Sequence, residues 1–273
     1  MGIVYEAEQT GAQEFLKRVA IKVIRQNFAS QSQFIENFVG EAKLVADLIH
    51  TNIVQTYHLG EYSGSFFIAM ELLVGTDLAD VLQGEGTLSQ ERGVEVAVQV
   101  CRALHATHQK GIVHRDMKPE NVFLVRADDG REVVKIVDFG IAQMKDISGS
   151  SEGSRKLTRT GMIFGTPEYM SPEQAAGKPV DHRVDVYAAG VILYEMVTGD
   201  IPFADANFMA VLGHHIHTTP LDPRQAAPER PIPDGLAGLV MALLAKDPAA
   251  RPADGEAVAQ ALLEYETLSG DEI

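Results

Sequence analysis

Four short motifs contain the residues whose types could do chemistry. Residues 19–22 read Val-Ala-Ile-Lys, 114–121 read His-Arg-Asp-Met-Lys-Pro-Glu-Asn, 138–140 read Asp-Phe-Gly and 171–173 read Ser-Pro-Glu. Together they supply lysines, aspartates and an asparagine, which can neutralise phosphate charge and bind a hard cation through oxygen. Each motif alone is common by chance. All four, in this order and at these separations, indicate one catalytic site.

In their order, these motifs resemble those of the protein kinases, most closely the bacterial serine/threonine kinases of the eukaryotic-like (Hanks) type. The resemblance extends from Gly2 to about Tyr265. It implies transfer of the γ-phosphate of ATP to Ser or Thr hydroxyls of proteins, with Mg²⁺ as the metal and Mn²⁺ as an alternative. It also implies protein substrates as partners, and a transient dimer for autophosphorylation.

The resemblance implies catalytic roles for five residues. Lys22 would contact the α- and β-phosphates of ATP, and Asp138 would bind Mg²⁺ between the β- and γ-phosphates. Asn121 would bind a second Mg²⁺. Asp116 would accept the proton of the substrate hydroxyl or orient its oxygen, and Lys118 would stabilise the charge that develops on the γ-phosphate. A lysine on a strand is more often a solvated edge residue, but the surrounding motifs favour the catalytic role for Lys22.

A glutamate on the first predicted helix is expected to hold Lys22 in place. Glu41 lies 19 residues after Lys22, as the family pattern requires. Glu36 lies on the same helix, and most helical glutamates face water. The spacing favours Glu41.

The resemblance places the nucleotide against the segment 70–73 and the first strands. The adenine edge would pair with the Glu71 carbonyl and the Leu73 amide, and Asp77 would reach the ribose unless it caps a helix. Further positions would line the ring or the phosphates, namely Gly2, Val4, Ala20, Met70 and Phe123. Phe123 is a departure, because an aliphatic residue is usual there.

Two features favour Ser/Thr over Tyr as the acceptor. Lys118 follows Asp116 by two residues, and residues 165–167 read Gly-Thr-Pro, in which Thr166 would bond to both Asp116 and Lys118. Both features are typical of serine/threonine kinases.

Arg115, directly before Asp116, marks kinases that are activated by phosphorylation of a loop, because a phosphate can pair with the arginine. Thr158 and Thr160 match the doubled threonine of many bacterial members, so we predict that they are phosphorylated. The alternative is that they are ordinary loop threonines.

The family's glycine-rich loop reads Gly-x-Gly-x-x-Gly-x-Val over the phosphates. Residues 1–4 read Met-Gly-Ile-Val and match only its last glycine and its valine. We therefore expect a natural chain with about ten or more residues ahead of Met1, by comparison with that loop. The alternative is a catalytically impaired scaffold of the kinase fold. The nucleotide sequence upstream of Met1 would distinguish the two.

The composition excludes several other classes of protein. The net charge of −15 argues against a nucleic-acid-binding domain. Cys101 is the only cysteine, so no intrachain disulfide can form, and its apolar helical spacing predicts a core position. Residues 214, 215 and 217 are histidines, which we interpret as a surface patch on a helix rather than a metal site. No apolar stretch of about 18 residues occurs, so we expect no membrane contact from this segment and a cytoplasmic location, alone or as the cytoplasmic domain of a membrane-anchored protein.

The predicted elements indicate an α+β fold with two lobes. The first lobe, residues 1–73, has strands at 2–8, 18–25, 53–59 and 65–73 and a helix at 33–48, and lacks the family's first strand. The second lobe, residues 74–273, has helices at 87–110, 184–198, 208–215, 236–244 and 255–265 and a strand pair at 122–125 and 133–137. Within it, Asp185 would cap the catalytic-loop backbone, and Glu173 and Arg251 would form a buried ion pair.

Overall fold

The computed structural model describes residues 2–24, 32–139 and 166–270, apart from the side chains at positions 14, 32–34, 41 and 265–270. Its N-terminal part is an antiparallel sheet in the order β1-β2-β4-β3. The strands are β1 (Gly2–Thr10), β2 (Leu16–Ile24), β3 (Thr56–Tyr62) and β4 (Ser65–Glu71). Helix α1 (Ser32–Val45) covers one face of this sheet, where a small apolar cluster comprises Ile24, Phe38, Ala42 and Ile68.

The larger part of the chain combines helices with a small sheet. That sheet has the order β5-β6-β7, with β5 (Gly75–Asp77), β6 (Val122–Arg126) and β7 (Glu132–Ile136). The helices are α2 (Leu78–Glu85), α3 (Gln90–His108), α4 (Pro172–Ala175), α5 (Arg183–Thr198), α6 (Phe208–His217), α7 (Pro223–Ala226), α8 (Asp234–Leu243) and α9 (Gly255–Gly270). Among the described residues, no helix is both long enough and apolar enough to cross a membrane.

Helix α5 is the centre of the larger core. Nearly every residue from Val184 to Thr198 is buried, because α3 and α8 pack against it and α9 packs on α3. An element that is apolar on all sides is stable only when it is covered on all sides. Cys101 lies in this core, on α3, as predicted. Residues in the first turn of α5, such as Asp185, are therefore held in place by the larger core.

The predicted elements are largely present, with one misplaced strand start and several short elements missed. The strand predicted at 53–59 begins only at Thr56, because Ile53 instead forms an isolated parallel bridge with Ile136 and is buried in the larger core. The prediction also missed β5, α2 and the short helices α4 and α7. Helix α2 begins after Asp77, whose carboxylate accepts the N–H of Asp80 at 3.0 Å.

Gly75 lies where the chain passes from the first sheet to the helices. A Cβ atom at this position would lie 2.2 Å from the carbonyl oxygen of Leu124 on β6, closer than any non-bonded contact. Only glycine therefore allows the connecting segment to approach β6 this closely.

Candidate active site

The residues of the 114–121 motif lie on a loop that α5 holds from below. Asp185 is 1% exposed, and its Oδ2 and Oδ1 accept the backbone N–H groups of His114 at 2.7 Å and Arg115 at 2.8 Å. The predicted cap is confirmed. Arg115 has φ +66°, a conformation that costs a non-glycine residue about 1–3 kcal/mol, so the bonds from the core must hold it there.

The buried ring of His114 links this loop to the segment before Asp138. Its Nε2 lies 3.1 Å from the carbonyl oxygen of Val137, and its Nδ1 accepts the N–H of Asp116 at 3.3 Å. Burial lowers the pKa of His114, and a neutral ring with its proton on Nε2 satisfies both contacts. The ring also packs 4.7 Å from that of Phe139. His114 and Phe139 thus lock the site, as predicted from their motifs.

Two polar side chains of the loop are oriented by hydrogen bonds, and a third, that of Asp116, lies beside a lysine. Asn121 Nδ2 donates to the backbone carbonyl of Asp116 at 2.7 Å, which directs its Oδ1 elsewhere. Lys118 Nζ donates to Thr166 Oγ1 at 3.1 Å, one of the two bonds predicted for Thr166. Burial raises the pKa of Asp116, and the nearby charge of Lys118 opposes that rise. The carboxylate therefore lies in a partly desolvated place beside a lysine.

Lys22 joins the first sheet to the segment after β7. Its ammonium group lies 2.7 Å from Asp138 Oδ1; Lys22 is 8% exposed, whereas the Asp138 side chain is 53% exposed. Asp138 has φ +54°, which re-aims the chain at this point. The motif positions 22 and 138, distant in sequence, thus meet.

Several predicted residues lie outside the described part of the structure. Glu41 lies on α1, but its side chain is outside the described residues, so its pairing with Lys22 stays a prediction. Thr158 and Thr160 are outside as well.

Four of the residues predicted to line the nucleotide, namely Gly2, Val4, Ala20 and Met70, share one face of the first sheet with Lys22. Val4 is the register partner of Lys22, and Ala20 that of Met70, and directly paired side chains lie on the same face. Gly2 lies over the lysine, since an added Cβ would be 3.1 Å from Lys22 Cγ. The face that carries Lys22 is therefore continuous with these positions.

The segment after β4 is fixed to both sheets. Glu71 Oε2 accepts from Lys135 Nζ at 2.8 Å and from the N–H of Gln55 at 3.2 Å. Leu73 follows on the way to β5, where Asp77 pairs in register with Phe123. Asp77 caps α2, the alternative to a ribose contact, so the ribose contact stays a prediction.

Sequence reasoning missed two side chains that support the loop. His108 Nε2 lies 2.8 Å from Asp185 Oδ2, and Gln174 Nε2 donates to the backbone carbonyl of Arg115 at 2.9 Å. The sequence did contain a signal for Gln174, because this residue is the last of a Ser-x-x-Gln capping box at the start of α4.

The predicted ion pair behind α4 is confirmed. Arg251 donates through both terminal nitrogens to Glu173, at 2.7 and 2.8 Å, and both residues are buried. A bidentate, buried pair of this kind fixes α4 against the core.

The interpretation of the histidines on α6 as a surface patch is wrong for His215. This residue is 0% exposed and lies 2.8 Å from the hydroxyl of Tyr187, because it continues the buried side formed by Val211 and Leu212. Burial lowers its pKa to about 4. No group of three side chains suited to hold a metal occurs in the described ranges.

Comparison with known proteins identifies relatives along nearly the whole chain. A sequence profile described as "Protein kinase domain" matches residues 1–264. Serine/threonine-protein kinase pkn3 of Myxococcus xanthus is 39% identical over 258 residues, which cover 94% of this chain and 46% of the relative. Serine/threonine-protein kinase PknB of Mycobacterium tuberculosis is 38% identical over 234 residues, covering 84% and 36% respectively. The chain thus spans less than half of the length of these relatives.

A solved structure shows the same fold. The crystal structure of the Mycobacterium tuberculosis PknI kinase domain superposes with a TM-score of 0.68 at 27% identity, covering 97% of this chain and 91% of that chain. The predicted α+β kinase fold is confirmed. On the sequence profile and these relatives, the chain belongs to the protein kinase domain family.

Proposed function

We propose that this chain transfers the γ-phosphate of ATP to Ser or Thr hydroxyls of protein substrates. One observation carries the proposal. Lys22 of the first sheet lies 2.7 Å from Asp138, beside the loop that holds Asp116, so the two parts of the chain that bear the motifs form one site. Phosphoryl transfer requires such positioned charges more than covalent chemistry. The family and the names of the relatives agree with this proposal.

Asp116 and Lys118 would act on the acceptor and the transferred group. The substrate oxygen attacks the γ-phosphorus, its proton passes to the Asp116 carboxylate, and the bond between the γ-phosphorus and the bridging oxygen breaks to release ADP. Burial raises the pKa of Asp116, which makes it a better proton acceptor than an exposed aspartate. Lys118 would stabilise the charge on the transferred group, and its bond to Thr166 would hold it in place.

The residues present fit a divalent metal such as Mg²⁺, with Mn²⁺ as an alternative. Asp138 offers an exposed carboxylate, and Asn121 offers Oδ1, since its Nδ2 is occupied by the Asp116 carbonyl. Hard cations prefer such oxygen donors. The metal would neutralise phosphate charge, and these two side chains would hold it.

ATP would lie along the face of the sheet that carries Lys22. Gly2, Val4, Ala20 and Met70 would enclose its phosphates and ring, with Phe123 on the other side. The Glu71 carbonyl and the Leu73 amide would bind the adenine edge, Asp77 the ribose, and Glu41 would hold Lys22. We propose the division into lobes at 1–73 and 74–273 on the same basis, because the nucleotide would lie between the two sheets.

The proposal is tested by two substitutions that leave the fold intact. Asp116→Asn and Lys22→Met should each lower the rate of radiolabel transfer to a generic protein substrate by about 10³-fold. The matched controls are Asp128→Asn and Lys178→Met at exposed positions, which should transfer at the wild-type rate. Unchanged transfer in either catalytic-site variant would overturn the assignment.

We also infer that Thr158 and Thr160 are autophosphorylated, in a transient dimer, and that this activates the domain. The buried Nε of Arg115 has no hydrogen-bond partner among the described residues, and a loop phosphate would provide one. Mass spectrometry after incubation with ATP and Mg²⁺ should find both sites modified. A protein with both threonines replaced by alanine that is as active as the wild type would refute this switch.

A further inference from the structure

The side-chain amide of Gln174 makes two contacts in different directions. Its Oε1 accepts the N–H of Ser171 at 3.1 Å, while Ser171 Oγ accepts the N–H of Gln174 at 3.3 Å, which closes a capping box at the start of α4. Its Nε2 donates to the backbone carbonyl of Arg115 at 2.9 Å. A helix cap needs only the first pair of bonds. The other bond reaches the residue directly before Asp116.

The orientation of the amide follows from its partners. Ser171 presents an N–H group and Arg115 presents a carbonyl, so the amide oxygen must face the first and the amide nitrogen the second. The reversed amide would set donor against donor and acceptor against acceptor. Glutamine is therefore matched to both contacts, and glutamate could satisfy only the one to Ser171.

The carbonyl of Arg115 belongs to the same peptide unit as the N–H of Asp116. Gln174 binds this unit at its oxygen, and His114 Nδ1 accepts from it at 3.3 Å. A peptide unit is planar, so bonds at both ends fix the plane from which the Asp116 side chain departs. Arg115, with φ +66°, adopts a conformation that such bonds must maintain.

We infer that Gln174 is a positioning residue for Asp116 and links it, through Ser171, to residues 166–171. We call these residues the docking segment, because they begin with Thr166 of the Gly-Thr-Pro motif that is expected to dock the substrate. This inference rests on the proposed kinase function. The same segment contacts the catalytic loop a second time, where Thr166 accepts from Lys118 at 3.1 Å. The placement of the docking segment and the orientation of Asp116 are therefore mechanically connected. Neither contact involves the nucleotide-lining face of the first sheet.

Two substitutions separate this role from helix capping. Gln174→Glu keeps the acceptor for Ser171, and glutamate is favoured at this capping-box position, but it cannot donate to Arg115. Gln174→Met removes both bonds without adding charge. We expect both variants to lose kcat by about tenfold or more, with KM for ATP changed by less than about twofold. Gln225→Glu, the same change at an exposed position on α7, should match the wild type in both constants.

Thermal unfolding completes the experiment. Gln174→Glu should melt within about 3 °C of the wild type, because the cap is retained. Ser89→Ala removes the cap of α3 and serves as the reference for stability loss alone, with kcat kept when assayed well below its Tm. Wild-type kcat in both Gln174 variants would overturn the inference. So would a loss confined to Gln174→Glu, which would reflect charge, or an equal loss of kcat in Ser89→Ala, which would reflect stability. A wild-type protein that is inactive even with the residues expected ahead of Met1 in place would instead refute the proposed function itself.

Discussion

Replacing Asp185 by asparagine tests whether α5 holds the catalytic loop. The carboxylate accepts three bonds, from the N–H groups of His114 and Arg115 and from His108. An asparagine of the same shape has one oxygen and one NH₂ group. With the NH₂ at the Oδ1 position it faces the Arg115 N–H, and with the NH₂ at the Oδ2 position it faces the His114 N–H. Either orientation leaves one buried backbone donor without an acceptor.

The magnitude follows from these contacts. A buried donor without a partner costs about 1–3 kcal/mol, and a hydrogen bond to a charged group contributes about 1.5–3 kcal/mol. We therefore expect the free energy of unfolding to fall by about 2–5 kcal/mol, which lowers the Tm of a domain of this size by about 5–15 °C. Because the freed donor lies next to Asp116, kcat should fall at least about tenfold at a temperature where the variant is folded.

The assay combines thermal unfolding, steady-state kinase kinetics and calorimetric binding of ATP. ATP affinity should stay near the wild-type value, since the partners of Asp185, which are His108, His114 and Arg115, are not among the predicted nucleotide contacts. Asp128→Asn, the same change in the exposed turn between β6 and β7, is the matched control and should leave every quantity unchanged. If Asp185→Asn melts and turns over like this control, then Asp185 does not hold the loop in the way the distances indicate.

Three further changes test the packing around the site. Glu173→Ala leaves Arg251 buried without its partner, so the free energy of unfolding measured in urea should fall by about 3–5 kcal/mol, and a loss below about 1 kcal/mol would contradict this. His215 has a folded-state pKa of about 4 against 6.5 unfolded, so the unfolded chain binds the proton first and stability falls as pH falls from 6.5 to 4, by about 2 kcal/mol at pH 5. His215→Gln should lose that part of the pH dependence, and an identical profile would refute it. Gly75→Ala would bring Cβ within 2.2 Å of the Leu124 carbonyl oxygen and should cost about 1–3 kcal/mol, whereas Gly84→Ala, where a Cβ meets nothing within 4 Å, should not destabilise.

The sequence predicted those parts of the fold that have a strong period or a fixed motif. Helices α3 and α5 and the hairpin of β3 and β4 follow from apolar spacing and from the turn at Ser63 and Gly64, both of which have positive φ. Helix α2 was missed because it is only eight residues long and includes Gly84, so its periodic signal is weak. Its start was nevertheless marked by Asp77, a favoured N-cap residue.

Where sequence reasoning failed, tertiary contacts decided the outcome. The apolar run from Ile53 fits a strand, but Ile53 bridges to Ile136 and belongs to the larger core. His215 follows Val211 by four residues, a spacing that places both on the same side of a helix and indicates burial. This spacing was the better guide to its position than the presence of three nearby histidines. The contacts of His108 and Gln174 depend on pairs 77 and 59 residues apart, and no local pattern encodes such distances.

The loop that carries Asp116 and the sheet that carries Lys22 are held in place by different contacts. Mutations near the loop and mutations in the sheet should therefore change different kinetic constants. The loop that carries Asp116 is bonded to the core through Asp185 and to α4 through Gln174, so its geometry is fixed by the most buried part of the molecule. Lys22 lies on a sheet with a much smaller apolar cluster, and its ion pair with Asp138 connects it to the other half of the site. Changes beneath the loop should therefore lower kcat at constant ATP affinity, because only the acceptor side loses its orientation. Changes in the first sheet should alter ATP binding first, because its smaller apolar cluster holds the local geometry less firmly.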